Sequence, residues 1–392
     1  MSRLAILGAG PIGLEVALAA AERGDDFTVY EAAPAVGGYV RDWGHVRLFT
    51  PWAMNVSARA RRALGDGAPA GAALPSGAQL VEHLLEPLAA LPALAPHIRL
   101  GTRVLAVGRD GLLKHEAMGS PKRGRRTFRL LVRTLDGAEA IQRADAVIDA
   151  TGTYGNPNRL GNGGIDAVNE SAFEQRIDRA MVAFEAEPAR WAGATILLTG
   201  SGHSAQTAAR DLVAFARHAP DTRVVWALRR EPPDFGTVDG DPLPERAALN
   251  ATAAEIASGA AASVQVRTGC VTEALAERDG RLAVTLRNGD GEELVVDRIL
   301  ALNGGVGDAS LYRQLQVHEC YATCGPMRLA AALLGGSGGD CLAQGSHGPD
   351  TLVNPEPGFF ILGAKSYGRN SQFLLCIGWQ QVDDVFGGLL GS

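Results

Sequence analysis

The sequence predicts an α/β protein whose basic architecture occurs twice, and three observations predict it. An apolar strand, Leu4-Ala5-Ile6-Leu7, runs into the glycine turn Gly8-Ala9-Gly10-Pro11-Ile12-Gly13. A second, Thr195-Ile196-Leu197-Leu198-Thr199, runs into Gly200-Ser201-Gly202-His203-Ser204-Ala205. Behind each turn the chain repeats one succession: a helix, a second strand, hairpin signals, and a closing strand that ends in a glycine turn.

Each element follows from its residues. In Gly8-x-Gly10-x-x-Gly13 the first glycine permits a tight strand-to-helix turn. The second lets backbone approach a pyrophosphate, and the third keeps helix and strand close. The N–H groups and dipole at the helix start then face the phosphates. Gly8, Gly10, Pro11, Ile12 and Gly13 are therefore candidate dinucleotide-binding residues of a Rossmann-like unit. Its helix is expected from Ile12 to Arg23, stopped by Gly24, and its next strand is Phe27-Thr28-Val29-Tyr30. That strand closes on Glu31, placed to accept hydrogen bonds from a ribose hydroxyl pair. Farther along, Arg103–Val107, Arg109-Asp110-Gly111, Phe128–Thr134 and Leu135-Asp136-Gly137 read as a small β-meander. Ala146-Val147-Ile148-Asp149 closes the half and leads into Ala150-Thr151-Gly152.

In the second half a helix is expected from Ser204 to Arg217, followed by the strand Arg223–Leu228. Val264–Arg267, Arg278-Asp279-Gly280, Leu282–Leu286 and the turn Asn288-Gly289-Asp290-Gly291 give a second meander. A strand is then expected from Val295 through Leu302 to Asn303-Gly304. Ala205 replaces the third glycine, as the need for a small residue allows. Where the first half has Glu31, this half has Arg229 and Arg230. A carboxylate there would repel a 2′-phosphate, whereas a guanidinium grips it, so NADPH is expected over NADH. A repeat of this length is of domain size, which excludes a solenoid.

On these residues the chain resembles the flavoproteins with two dinucleotide-binding domains, among them thioredoxin-reductase-like enzymes and flavin-dependent monooxygenases. The resemblance covers nearly the whole chain. It implies two Rossmann-like domains, each with a small β-meander, the second inserted into the first. Residues 1–155 and 300–392 would bind FAD, and residues 156–299 NAD(P)H. FAD would be held by Gly8–Gly13, Glu31, Gly38 of the Gly37-Gly38 pair, and Thr151 and Gly152 of the run Asp149–Tyr154. It would also meet Gly363 and Lys365 of the returning segment Phe359–Lys365. A helix within Leu374–Phe386 would point its N-terminus toward the flavin. NADPH would be held by Gly200, Gly202, His203, Ser204, Ala205, Arg229 and Arg230. The sequence departs from the family in three places. A redox-active Cys-x-x-Cys pair is missing, Ala364-Lys365 stands where an acidic residue often follows the late glycine, and no Phe-x-Gly-x-x-x-His pattern lies between Gly155 and Thr199.

The resemblance implies an NAD(P)H-dependent FAD oxidoreductase. Without a cysteine pair, the expected partners of the reduced flavin are molecular oxygen and a small-molecule substrate, as in a monooxygenase. A reductase serving a small acceptor and a non-catalytic redox sensor are the alternatives. The aromatic segment Trp43–Asn55 follows Gly37-Gly38 and is the candidate pocket wall. In it His45 is a candidate proton donor, and Arg47 and Asn55 are candidate hydrogen-bonding groups for the flavin edge or oxygen. A loop that only packs the interior is the alternative reading.

Bulk properties narrow the partners. Thirty-seven Lys and Arg stand against 43 Asp and Glu, a net charge of −6, so nucleic acid is not an expected partner. The basic run Lys122-Arg123-Gly124-Arg125-Arg126 is expected to be a solvated loop tip. No apolar run is long enough to span a bilayer, and the first glycine turn lies too near Met1 for a signal peptide. A cytoplasmic protein without a membrane partner is expected, with a homodimer among its permitted states. The five cysteines are an odd number and argue against a disulfide framework. Cys320 and Cys324 stand four apart, a spacing that one helix face could hold; a structural or incidental role is expected, with an approach of Cys320 to a substrate as the alternative, and no metal site is expected.

Overall fold

In a computed structural model the described residues are 3–287, 291–335 and 347–390. The chain divides into two compact units, residues 1–156 with 306–392, and residues 157–305. Asn288, Gly289 and Asp290 of the expected turn, and Cys341, lie outside the described residues.

The first unit is built on a parallel five-stranded sheet. Its strands are β1 (Arg3–Leu7), β2 (Asp26–Tyr30), β3 (Ile98–Arg99), β7 (Ala146–Asp149) and β16 (Phe359–Ile361), in the order β16-β7-β1-β2-β3. Alternation along β1 sends Leu4 and Ile6 into one core and Ala5 and Leu7 into another. The first core packs under α1 (Pro11–Arg23) and the C-terminal helix at Leu375–Asp384. The second packs under the antiparallel meander β4 (Thr102–Arg109), β5 (Phe128–Thr134) and β6 (Glu139–Ala144). Such a sheet, covered on both faces, is the physical reason its strands read as nearly continuous apolar runs.

The second unit repeats the plan. Its sheet contains β8 (Ile177–Asp178), β9 (Thr195–Thr199), β10 (Arg223–Ala227), β11 (Val264–Arg267) and β15 (Arg298–Ala301), in the order β11-β10-β9-β15-β8. Its meander is β12 (Val271–Arg278), β13 (Arg281–Arg287) and β14 (Glu292–Val296). On β9, Ile196 and Leu198 face the helical core beneath α2 (His203–Ala216), while Leu197 faces the meander. The fold is thus α/β with parallel sheets and Rossmann-like connectivity in both units.

The strand expected from Val295 through Leu302 is two strands, β14 and β15, broken at Asp297. Asp297 holds the Thr195 backbone at the start of β9 from both sides: its carboxylate accepts from Thr195 N at 2.7 Å, and its own N donates to Thr195 O at 2.8 Å. Asp145 does the same to Arg3 at the start of β1, at 2.8 and 2.7 Å. In each unit one aspartate therefore turns the chain from the meander into the sheet.

The basic run also differs from expectation. Lys122, Arg125 and Arg126 are exposed, but Arg123 is 1% exposed and pairs with the buried carboxylate of Glu356 at 2.8 Å. Arg109 reaches the same carboxylate at 2.7 Å. One acidic group bound to two guanidiniums anchors the 110–127 excursion, so the run is not wholly a solvated tip.

Candidate functional site

The two glycine turns lie at the C-terminal ends of β1 and β9, where open parallel sheets take ligands. At Gly8 φ is +97°, and an added Cβ would lie 2.9 Å from Ala150 O. At Gly13 a Cβ would lie 1.8 Å from Gly8 O. The chain itself forbids side chains at both positions. Gly10 differs: a Cβ there meets nothing within 4 Å. The second turn has the same pattern. Gly200, at φ +110°, would put a Cβ 2.3 Å from Leu302 O, whereas Gly202 again faces open space. Gly10 and Gly202 cap α1 and α2, and neither helix start is closed by a side-chain hydrogen bond. The dipole at each helix start favours an anion there.

Glu31 stands at the end of β2, and both its carboxylate oxygens accept backbone hydrogen bonds, from Ala9 at 2.7 Å and Ala33 at 2.8 Å. That fixes the carboxylate beside the glycine turn and leaves lone pairs for hydroxyl donors. Gly38 begins the short helix Gly38–Asp42, and a Cβ there would lie 2.5 Å from the Ala33 Cβ. Thr151 donates to Asp149 Oδ1 through both its N–H and its hydroxyl, and Gly152 has φ +71°. Gly363, at φ +75°, sits against Ile12 at the start of α1. These residues of β1, β2, β7 and the returning segment are brought to one edge of one sheet.

Lys365 lies against Asp149 and Thr151 of the same group of residues. It is 2% exposed, and its ammonium donates to Asp149 Oδ2 at 2.6 Å, Thr151 Oγ1 at 3.2 Å and Asp308 O at 2.8 Å. Those three bonds use all three donors of the ammonium. The side chain staples together β7, the segment at 307–308 and the returning segment.

The Trp43–Asn55 loop also separates into parts. Asn55 is buried; its amide donates to Thr50 O and Pro51 O and accepts from the Thr50 hydroxyl at 2.8 Å. These bonds hold the loop, and both amide hydrogens are used in them. His45 and Arg47 are exposed on the same loop. Sequence reasoning missed the ring cluster beside it: Tyr154 lies 6.1 Å from Tyr39 and 6.3 Å from Trp43, in both cases with planes 29° apart. Tyr39 and Tyr154 are exposed, and the Trp43 indole N–H is buried without a partner.

In the second unit, Trp226 donates to Gly200 O at 2.9 Å, and Gln206 to Ser201 O at 2.8 Å and Phe235 O at 2.9 Å. Neither residue carried a motif signal. Together they hold the turn and clamp the loop after β10. On that loop Arg229 is exposed, while Arg230 forms an ion pair with Asp234. His203 opens α2, with Ser204 next and Ala205 buried in the core. Desolvation of the His203 ring, together with the nearby Arg246 charge, pushes its pKa below the ordinary value, so the ring is neutral at pH 7. Arg246 is held by Asp241 at 2.7 Å in a buried pair.

The fold is one shared by solved reductases and hydroxylases. The chain is similar over 99% of its length to bacillithiol disulfide reductase Bdr (YpdA) from Bacillus cereus, with TM-score 0.71, 18% identity and 98% of that chain covered. It is similar over 99% to DfoA bound to FAD, the cadaverine monooxygenase of desferrioxamine biosynthesis from Erwinia amylovora, with TM-score 0.66, 11% identity and 95% of that chain covered. Ornithine hydroxylase PvdA from Pseudomonas aeruginosa, in its reduced form, matches with TM-score 0.63 and 16% identity, over 99% of this chain and 98% of its own. No protein-family model and no curated protein sequence matches the chain. Among the described residues no helix is long and apolar enough to cross a membrane, and no cluster of His, Cys, Asp and Glu could hold a metal ion.

Proposed function

We propose that the protein is an NADPH-dependent FAD oxidoreductase, with FAD held by the first unit and NADPH by the second. One observation carries this reading. Gly10 and Gly202 are glycines that the protein's own packing does not require, each at the uncapped start of a long helix. Space kept open at that point in both units fits a pyrophosphate against each helix. Glu31 fits a ribose hydroxyl pair, and Arg229 fits a 2′-phosphate. When bound, FAD supplies the chemistry of accepting a hydride from NADPH and passing two electrons on. The residues of the chain bind and orient: Glu31 fixes the ribose, His203 meets the second dinucleotide as a neutral donor or acceptor, and Arg229 selects the phosphate.

For the electrons' destination we favour oxygen and a small-molecule substrate. The supporting observation is the Tyr39-Trp43-Tyr154 cluster, which offers a ring-lined surface beside the candidate flavin site. Such a surface excludes water from the reacting edge. His45 and Arg47 are the polar groups of the neighbouring loop left to meet a substrate. The reading as a reductase is supported by the reductase among the structures of similar fold. An anaerobic NADPH titration of the yellow holoprotein, followed by air, separates the two. Bleaching of the flavin bands is expected, then oxygen uptake coupled to conversion of an added amine or other small substrate. Bleaching with uncoupled reoxidation would support the reductase. Flavin bands untouched by NADPH would overturn both.

A further inference from the structure

Cys320 and Cys324 do not share a helix face; they close a turn. Cys324 N donates to Cys320 O at 2.9 Å, and Cys320 N donates to Gly325 O at 2.8 Å. An N–H(i+4) to O(i) bond places the two Cα atoms about 6 Å apart. Disulfides span roughly 4.4–6.8 Å between Cα atoms. Cys324 takes φ +61°, a left-handed conformation that a side chain rarely adopts without reason. Both thiols are free in this structure. The turn is also built around one of the sulfurs. The Thr323 hydroxyl and the backbone amides of Thr323 and Ala322 face Cys320 and hold its thiol below the ordinary pKa.

The two cysteines differ in exposure. Cys320 is buried, while Cys324 is half-buried. The turn bears directly on the returning segment. Arg369 N donates to Thr323 O at 2.8 Å, and a Cβ at Gly368 would lie 2.1 Å from that same oxygen. A Cβ at Gly325 would in turn lie 2.9 Å from Ser366 O.

We propose that Cys320 and Cys324 are a thiol–disulfide exchange site, closed reversibly by a small disulfide compound. The Cys324 thiolate attacks one sulfur of the compound, forming a mixed disulfide and releasing one thiol. The Cys320 thiolate then attacks the Cys324 sulfur, forms the internal disulfide and expels the second thiol. Two protein thiols are oxidised and one external disulfide is reduced to two thiols, so atoms and electrons balance. The more exposed cysteine captures, and the one held among N–H and O–H donors resolves. This site does not require either proposed cofactor.

The test uses the full-length holoprotein in buffers of reduced and oxidised glutathione, quenched with acid, alkylated and digested with trypsin. Both cysteines fall on one peptide, Gln314–Arg328. In oxidising buffers that peptide is expected two hydrogens lighter and unalkylated, returning to two alkylated thiols as the buffer is made reducing. Cys320→Ser is expected to stop at a glutathione adduct on Cys324, and Cys324→Ser to give no adduct on Cys320. Two alkylated thiols on the wild-type peptide across the whole buffer range would overturn the proposal. Stable glutathione adducts on both cysteines would overturn it as well, because they would show that the turn does not close.

Discussion

Gly10 and Gly13 stand three residues apart in one turn and answer to different demands, which substitution separates. A Cβ at Gly13 collides with Gly8 O, so Gly13→Ala is expected to lower stability by roughly 1–3 kcal/mol or more, read as a fall in Tm. A Cβ at Gly10 meets no protein atom, so Gly10→Val is expected to fold normally and come out colourless. A yellow Gly10→Val protein would place the flavin elsewhere. Arg229 and Arg230 separate in the same way. Arg230 has Asp234 as a partner, so Arg229→Ala is expected to weaken NADPH about 10- to 100-fold and NADH little, measured by Kd for each. Equal losses would place the 2′-phosphate away from β10. The glycines and Glu31 were legible because their demands are local. The burial of Lys365 was not legible, because it depends on what folds around it, and its partner Asp149 lies 216 residues away.

At the level of elements, sequence pattern marked the strands and missed where some of them break. Val295–Leu302 reads as one apolar run because both β14 and β15 face cores; the interruption is a single Asp297, whose reason is its pairing with Thr195. The two-residue strands β3 and β8 carry too few residues for any periodicity to register. Helices of the second unit rest partly on ionic contacts that pH can test. Hydrogen bonds from Arg246 hold the Asp241 carboxyl below its ordinary pKa of 3.8. A lowered folded pKa stabilises the fold above the unfolded value, and that contribution is lost as pH falls through the folded one. Asp241→Asn is therefore expected to cost about 1–3 kcal/mol near pH 7, since it removes a charged partner of the buried Arg246. The gap to wild type should shrink below about pH 4 in acid melts. A gap constant down to pH 2 would show that the pair does not titrate with folding.

Across the whole molecule, each unit has its own two cores, with a sheet between helices and meander. Ligand protection should follow that division. In hydrogen exchange, FAD is expected to slow β1, α1 and β2, and NADP+ to slow β9, α2 and β10. Protection by NADP+ confined to the first unit would overturn the assignment of cofactors to units. The duplicated plan was legible at this scale because a motif repeated at domain length is hard to produce by chance, whereas the aromatic cluster at Tyr39, Trp43 and Tyr154 joins segments more than a hundred residues apart. The Glu356 carboxylate has one more consequence. It neutralises Arg109 and Arg123, yet it follows them by more than 230 residues, with the entire second unit in between. As the chain emerges from the ribosome, residues 157–305 are complete and can fold while those two arginines still await their counter-charge. The later-synthesised tail thus supplies both Glu356 and β16, and the half of the protein that begins first is the half that finishes last.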